Sequence, residues 1–339
     1  MRFLITGGAG FIGSHLSDLL IEHGHRVHVL DDLSTGSLEN LSQLQEHPDF
    51  CCSVGSVSDA ALLEELVTDA DVVIHLAAAV GVRLVVESPV RAIETNVHCT
   101  EVVLDHADRH RKPVLLASTS EVYGKSEALP FKEDGDLRLG ATFRARWAYA
   151  CSKAIDEFLA MAYWRERDLP IAVVRLFNTV GPRQTGSYGM VVPRLVGQAL
   201  AGEPLTVYGD GRQTRCFCHV GDVALALLGL LEHPRAWGEV FNVGATREIS
   251  ILVLAQRVLS LTDSASEIRL VPYDEAYGAG FEDMYRRVPD IEKLHALTGW
   301  SPTRSLDDII ADVVADQRRA ALPPLSAESP GKAPTASPG

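Results

Sequence analysis

The sequence predicts an α/β protein: a doubly wound parallel sheet carrying a smaller C-terminal α/β lobe. Three observations point there. Short apolar runs alternate with helical patterns through the first half of the chain, which is the signature of βαβ units. A glycine-rich turn joins the first apolar run to the first helical pattern. After Asn178 the alternation gives way to a Pro/Gly-rich stretch and a mixed region.

The elements follow in order. Strands are expected at 2–6, 26–31, 71–76, 113–118 and 171–176, each a short apolar run. Helices are expected between them at 12–23, 59–68, 88–108 and 148–166. The stretch Val180-Gly-Pro-Arg-Gln-Thr-Gly-Ser-Tyr-Gly189 then leads to a helix near 190–201, a strand at 205–207 and a turn at Tyr208-Gly-Asp-Gly211. A helix at 220–232 and a strand at 239–243 are expected to return to the main sheet. This divides the chain into a nucleotide-binding domain, 1–176 with returning elements near 216–243, and a lobe built from 177–215 and 244–320. Residues 321–339 are Ser/Pro/Gly/Ala-rich and read as a disordered tail.

At 339 residues the chain is long enough for such a division. The net charge of −14 argues against a nucleic-acid surface, which needs a basic stripe. An anionic ligand stays possible, because backbone amides and a few arginines hold phosphate locally. The six cysteines are scattered and form no Cys-x-x-Cys, so reduced thiols in a cytosolic protein are expected. No apolar run approaches the ~20 residues that cross a bilayer. The first strand runs from the start straight into the glycine turn, which leaves no room for a signal peptide. His75 and His219 lack a partner cluster and read as packing histidines, so no metal site is expected.

Thr6-Gly-Gly-Ala-Gly-Phe-Ile-Gly13 lies between a strand and a helix, the context in which a glycine loop cradles a pyrophosphate. Its Gly7-x-x-Gly10-x-x-Gly13 spacing differs from G-x-G-x-x-G. The second strand ends in Asp31-Asp32, and an acid there bonds ribose hydroxyls and repels a 2′-phosphate. No arginine follows before residue 40, so NAD fits better than NADP. Tyr149 and Lys153 stand four apart on the helix expected at 148–166, and therefore on one face. A phenol ionises near pH ~10, and a fixed cation nearby is expected to lower that value and make it a base. Thr119-Ser120-Glu121 ends an apolar run between the two motifs.

With these residues in view, the chain resembles the extended short-chain dehydrogenase/reductase family, and within it the NAD-dependent sugar-nucleotide epimerases, dehydratases and decarboxylases. The resemblance spans Met1 to about Arg319. It implies a Rossmann domain and a triad of Thr119, Tyr149 and Lys153, with Tyr149 as general base and Lys153 on the nicotinamide ribose. It also implies a cofactor path along Gly7, Gly10, Phe11, Ile12, Gly13, Asp31, Asp32, Ser56, Val57, Leu76, Ala77, Ala78 and Asn96. Asn178, Arg183, Val191, Arg215 and Arg287 are implied to meet the substrate. A homodimer built on helices near 95–108 and 148–166 is a further implication. Ile155, Phe158, Leu159 and Ala162 have a spacing that suits either a subunit interface or burial within one chain.

The shared chemistry of the family is oxidation of the sugar at C4. Return of hydride then gives an epimer, loss of water a 4-keto-6-deoxy sugar, and loss of CO2 a pentose. Three features resemble the UDP-glucuronate decarboxylases: Ser120-Glu121 after the threonine, Gln213-Thr-Arg215-Cys216-Phe217, and the run Tyr277 to Pro289 together with Arg146-Trp-Ala-Tyr149. The expected activity is NAD-dependent decarboxylation of UDP-glucuronate to UDP-xylose or the UDP-4-keto-pentose. The alternatives are a UDP-glucose or UDP-glucuronate 4-epimerase and a catalytically idle NAD-binding regulator. A uronate oxidised at C4 is a β-keto acid, whose carboxylate departs into an enolate. Glu121, Ser120 and water are the expected groups for orientation and proton delivery, and Arg215 is expected to stabilise negative charge.

Overall fold

The computed structural model describes residues 1–79, 88–186, 190–277, 282 and 284–321. Residues 80–87, 187–189, 278–281, 283 and 322–339 lie outside them, and with them most of the expected tail and parts of two of the quoted runs.

The strands of the main sheet are β1 (Arg2–Thr6), β2 (Arg26–Asp31), β3 (Phe50–Val54), β4 (Val72–His75), β5 (Val114–Thr119), β6 (Ile171–Leu176) and, after four short strands of the lobe, β11 (Glu239–Val243). They form one seven-stranded sheet in the order β11-β6-β5-β4-β1-β2-β3. Every pairing in it is parallel, with Ile5 between Val29 and Ile74 and Val174 between Ala117 and Phe241. The strand order reverses between β1 and β4. A crevice therefore opens at the carboxyl ends of these strands, where open α/β sheets bind ligands.

The five predicted strands, the returning strand and the helices all form, with ends displaced by one or two residues. Strand β3 is the addition. It is an edge strand that pairs with β2 alone, and its Cys51 and Val54 are exposed, so it lacks the two-faced apolar run that marks an interior strand.

Helices cover both faces. Phe11–Glu22 and Val220–Leu231 pack on one, burying Leu16, Leu20, Val223 and Leu227 against Ile5, Val29 and Phe241. Ala60–Asp69, Pro89–Arg109 and Ala148–Arg167 cover the other, with Leu63, Val103, Leu104 and Ala160 against Leu4, Val73 and Val173. The remaining residues have their own core of Val192, Leu195, Leu254, Val258, Ile309 and Val313. A fourth cluster, Val122, Tyr123, Phe131, Trp147, Phe177 and Met284, lies under the turn that follows β5. Among the described residues no helix is long and apolar enough to cross a membrane. All six cysteines are unpaired thiols.

Candidate active site

A single cleft of about 2030 Å³ runs from the crevice to the outer lobe. That is about twice the upper end for one small-molecule pocket, so it has room for a dinucleotide and a second ligand. Gly7, Gly10, Phe11, Ile12, Gly13, Asp31, Asp32, Ser56, Val57, Leu76, Ala77 and Ala78 line one half. Thr119, Ser120, Glu121, Tyr149 and Lys153 line the middle, and Asn178, Arg183, Val191, Arg215 and Arg287 the rest.

The glycine loop is fixed by contact as well as by turn geometry. Gly7 has φ +74°, and a Cβ there would stand 2.7 Å from the Ala77 amide nitrogen. A Cβ on Gly13 would meet Gly7 O and Gly8 Cα, both at 2.6 Å. Gly10 opens the helix with no side-chain cap, which leaves first-turn amides and the positive end of the helix dipole for an anion. This cradle fits a pyrophosphate.

The two acids after β2 part company. The Asp31 carboxylate accepts from the Ala9 and Leu33 amides at 2.9 Å each, which ties the glycine loop to the end of β2. Burial pushes its carboxyl up, against those two hydrogen bonds. Asp32 is exposed at the cleft rim and accepts from the Ser34 amide at 2.9 Å. Asn96, expected along the cofactor, is buried and is absent from the cleft wall. Its amide accepts from Ala79 N at 2.7 Å and donates to Ser152 Oγ at 3.2 Å, so it staples the segment after β4 to the Tyr149 helix.

Tyr149 is one residue into the helix Ala148–Arg167, and its phenol shares a hydrogen bond with the Thr119 hydroxyl at the end of β5. Lys153 lies one turn on, buried, with its ammonium 2.8 Å from Asp156. The expected acidified phenol is not found. Burial and the carboxylates of Glu121 and Asp156 hold the phenol above its ordinary value, and the nearest ionic partner of Lys153 is Asp156. A buried cation with a buried counter-ion beside it acts on its surroundings as a dipole, which is why the Tyr-x-x-x-Lys spacing alone overstated the shift.

Glu121 lies in the turn after β5. Arg146 and Arg287 both close on its carboxylate, Arg287 at 3.3 Å and Arg146 through a shorter ion pair. Their charges, with that of Arg215, outweigh burial and hold the carboxyl at about 2. A carboxylate clamped in this way is fixed in place and charged, which suits it to orientation. Arg287 lines the cleft with its guanidinium on Glu121, while its neighbour Arg286 pairs with Glu248 at the surface. The stability carried by Glu121 is fully present above its unfolded value of 4.5 and is lost as pH falls through about 2. It amounts to roughly 3 kcal/mol. Glu121→Gln is therefore expected to flatten the fall of thermal midpoint between pH 5 and 2, followed by calorimetry.

The two stretches singled out in the sequence meet here: Trp147 Nε1 donates to Glu282 at 2.9 Å across 135 residues of chain. Arg215 is buried, and its guanidinium donates to the carbonyls of Thr214 at 2.7 Å and Tyr285 at 3.4 Å. Asn178 donates to Cys216 O at 3.1 Å. Arg183 has a left-handed backbone (φ 65°) and pairs with Asp18 of the first helix at 2.8 Å.

Sequence reasoning missed several groups. Arg194 stacks on Tyr208 at 4.1 Å, and Tyr273 lines the same outer end of the cleft. Behind the Thr119–Tyr123 turn, Arg175 forms a fork on Glu157, with its Nη2 2.8 Å from Oε2, and donates to the Tyr123 hydroxyl at 2.8 Å. Ser118 donates to the same Glu157, and Tyr123 donates to Asn242 at 2.8 Å. These groups are buried and pin both ends of the turn that carries Thr119, Ser120 and Glu121. The Arg175/Glu157 spacing of 18 residues carries no signal in a sequence read alone.

A glycine cradle at the switch point of the sheet, joined to a Thr/Tyr/Lys cluster and an arginine-rich outer lobe, defines a dinucleotide-binding enzyme scaffold of the short-chain dehydrogenase/reductase type. The chain belongs to the GDP-mannose 4,6 dehydratase family, whose profile matches residues 4–313. It is 41% identical over 314 residues to the UDP-N-acetyl-alpha-D-glucosaminuronate decarboxylase of Bacillus cytotoxicus, covering 92% of this chain and 96% of that one. It is 37% identical over 309 residues to UDP-glucuronic acid decarboxylase 1 of Danio rerio, covering 91% and 70%. Among solved structures it resembles the UDP-glucuronic acid 4-epimerase of Bacillus cereus in complex with UDP-glucuronic acid and NAD. That match has a TM-score of 0.85 and 28% identity, over 94% of this chain and all of that one (100%).

Proposed function

We propose that this chain decarboxylates a UDP-linked hexuronate, UDP-glucuronate in the first instance, through a 4-keto intermediate with NAD as bound cofactor. The observation that carries this reading is kinship: two curated relatives that share 41% and 37% of their aligned residues with this chain are both named as decarboxylases of UDP-uronates. The 41% relative is named for the 2-acetamido sugar, which makes UDP-N-acetylglucosaminuronate the second substrate to try. The 4-epimerase reading retains the structural likeness to an enzyme of that name.

The first-turn amides and Gly7/Gly13 would hold the pyrophosphate of the dinucleotide, and Asp32 stands where ribose hydroxyls would meet it. The dinucleotide, when bound, accepts hydride from C4. Tyr149 would take the proton of the 4-hydroxyl as its phenolate, a form that the Lys153 cation favours, and Thr119, hydrogen-bonded to Tyr149, would hold the same sugar oxygen. Lys153 anchors the ribose. Once C4 is a ketone, the polarised oxygen receives the charge that CO2 leaves behind, with Thr119 and Tyr149 beside it to stabilise it, and the proton that Tyr149 took from the 4-hydroxyl is returned to C5 to complete the keto-pentose. Glu121, pinned by Arg146 and Arg287, keeps those arginines in place beside the sugar. The nucleotide would occupy the outer end, against Tyr208 and Arg215.

The test is incubation with NAD and each UDP-sugar, with mass detection of products. Loss of the mass of CO2 from UDP-glucuronate or its 2-acetamido analogue supports the reading. Product of unchanged mass supports the epimerase and sinks decarboxylation.

The subunit arrangement belongs to the same reading. On the paired helices Pro89–Arg109 and Ala148–Arg167, Val90 (66%), Ile93 (39%), Ile155 (44%) and Phe158 (73%) are exposed. A homodimer that packs these helices on their copies would cover them. Phe158→Glu is expected to yield monomers in sedimentation, where the parent chain sediments as a dimer.

A further inference from the structure

One buried carboxylate behind the cleft wall has no part in the chemistry described so far. Asp156 is 0% exposed, and its carboxylate is met by the Thr100 hydroxyl of the helix Pro89–Arg109 and by the Lys153 ammonium. What offsets its burial is Lys153, one turn earlier on the same helix face, with the ammonium 2.8 Å from Asp156 Oδ2. Lys153 is the cation that the proposed chemistry needs beside the Tyr149 phenol, and it lines the cleft, whereas Asp156 does not.

The geometry points to Asp156 as a positioning residue: it fixes the Lys153 ammonium in the wall and, by its opposite charge, limits how far that lysine eases ionisation of Tyr149. This rests on the reading of Tyr149 as the base for oxidation at C4. The pair stands three residues apart on a helix, with both side chains buried, so neither group can turn to water without disrupting the packing. The other charged or titratable groups facing these side chains come from every neighbouring element. Glu121 faces the phenol from the turn after β5, and Arg146 from the short turn before the helix. His75 faces Lys153 from β4, Cys99 faces the pair from the helix Pro89–Arg109, and Glu157 follows Asp156 on its own helix. Burial drives His75 to about 3, so at neutral pH it brings no charge. Asp156 is thus the negative group bound directly to the lysine.

Asp156→Asn keeps the size of the side chain and removes its charge. With NAD bound, the acidic limb of the kcat–pH profile is expected to move to lower pH by about one unit, the lower end of what a neighbouring unit charge does. The phenolate absorbance of Tyr149, read as the difference from a Tyr149→Phe variant in the same background, should appear about one unit lower as well. Asp156→Glu should restore both. Loss of the countercharge also destabilises a buried lysine, so a charge-free control accompanies it: Lys153→Met with Asp156→Asn removes both charges together. In that double variant the phenol should titrate within about half a unit of the parent protein, while Lys153→Met alone should raise it by about one unit. A phenol titration identical in parent and Asp156→Asn, or one that rises as far in the double variant as in Lys153→Met alone, overturns the proposal. The absorbance titration needs no substrate. A shifted titration in a protein that converts no UDP-uronate leaves the role of Asp156 standing and sinks the decarboxylase reading, and an unshifted one in a protein that turns over does the reverse.

Discussion

Tyr149→Phe is expected to lower turnover by about 10²–10⁴-fold, the usual contribution of a positioned acid or base, while leaving dinucleotide binding in place. The ring stays, and with it the packing of the Tyr149 helix against the turn after β5. The hydroxyl goes, and with it the hydrogen bond to Thr119. Thr119 then has a sugar oxygen to hold and no partner to receive its proton. Equilibrium dialysis with NAD separates the two effects, since the glycine cradle lies on the first helix and is untouched by the change. A fall in both turnover and NAD affinity would mean that the phenol serves binding rather than proton transfer.

Arg175→Met is expected to have the largest effect on stability. The guanidinium is buried beneath the same turn, with burial opposed by the Glu157 carboxylate and the Tyr123 hydroxyl, and burial pushes the Tyr123 phenol up to about 12 against the charge and hydrogen bond of Arg175. Removing the cation leaves Glu157 buried without a counter-ion, which costs about 3–5 kcal/mol. Thermal denaturation should show a midpoint lower by roughly 10 °C, as expected for a domain of this size. Glu157→Gln combined with Arg175→Met should recover much of the loss, because replacing both partners removes the uncompensated charge. The network also holds Ser118 and Tyr123 at the two ends of the Thr119–Glu121 turn. Turnover in surviving Arg175→Met protein is therefore expected to fall further than NAD affinity.

What the sequence made legible was local. The glycine spacing, the acids ending β2 and the Tyr149/Lys153 interval are short-range patterns, and the cradle, the rim acid and the shared helix face all appear where the spacing puts them. Strand β3 was not legible, because an edge strand such as Phe-Cys-Cys-Ser-Val has one neighbour and two partly wet faces. The charges of the site were legible only as residue types. Glu121 is clamped by Arg146 and Arg287, 25 and 166 residues away, and nothing in the chain order says that these three side chains meet. For the same reason the phenol was expected to be more acidic than it is. Lys153 was read as a cation acting alone, and the Asp156 three residues on, although printed in plain view, is an ion-pair partner only once both are buried. Asn96 shows the opposite case, a polar side chain expected at a ligand that the fold uses to hold its own backbone.

In the proposed reaction a hydroxyl of a UDP-uronate is oxidised at Tyr149 before its carboxyl group departs. Rapid mixing of the NAD-loaded protein with UDP-glucuronate carrying a labelled carboxyl carbon tests this directly, with reduced-nicotinamide absorbance and labelled CO2 followed together. Absorbance is expected to rise no later than CO2 appears, and both are expected to vanish in Tyr149→Phe. Labelled CO2 released without any reduced nicotinamide, or a sugar converted with its label intact, would contradict that reaction.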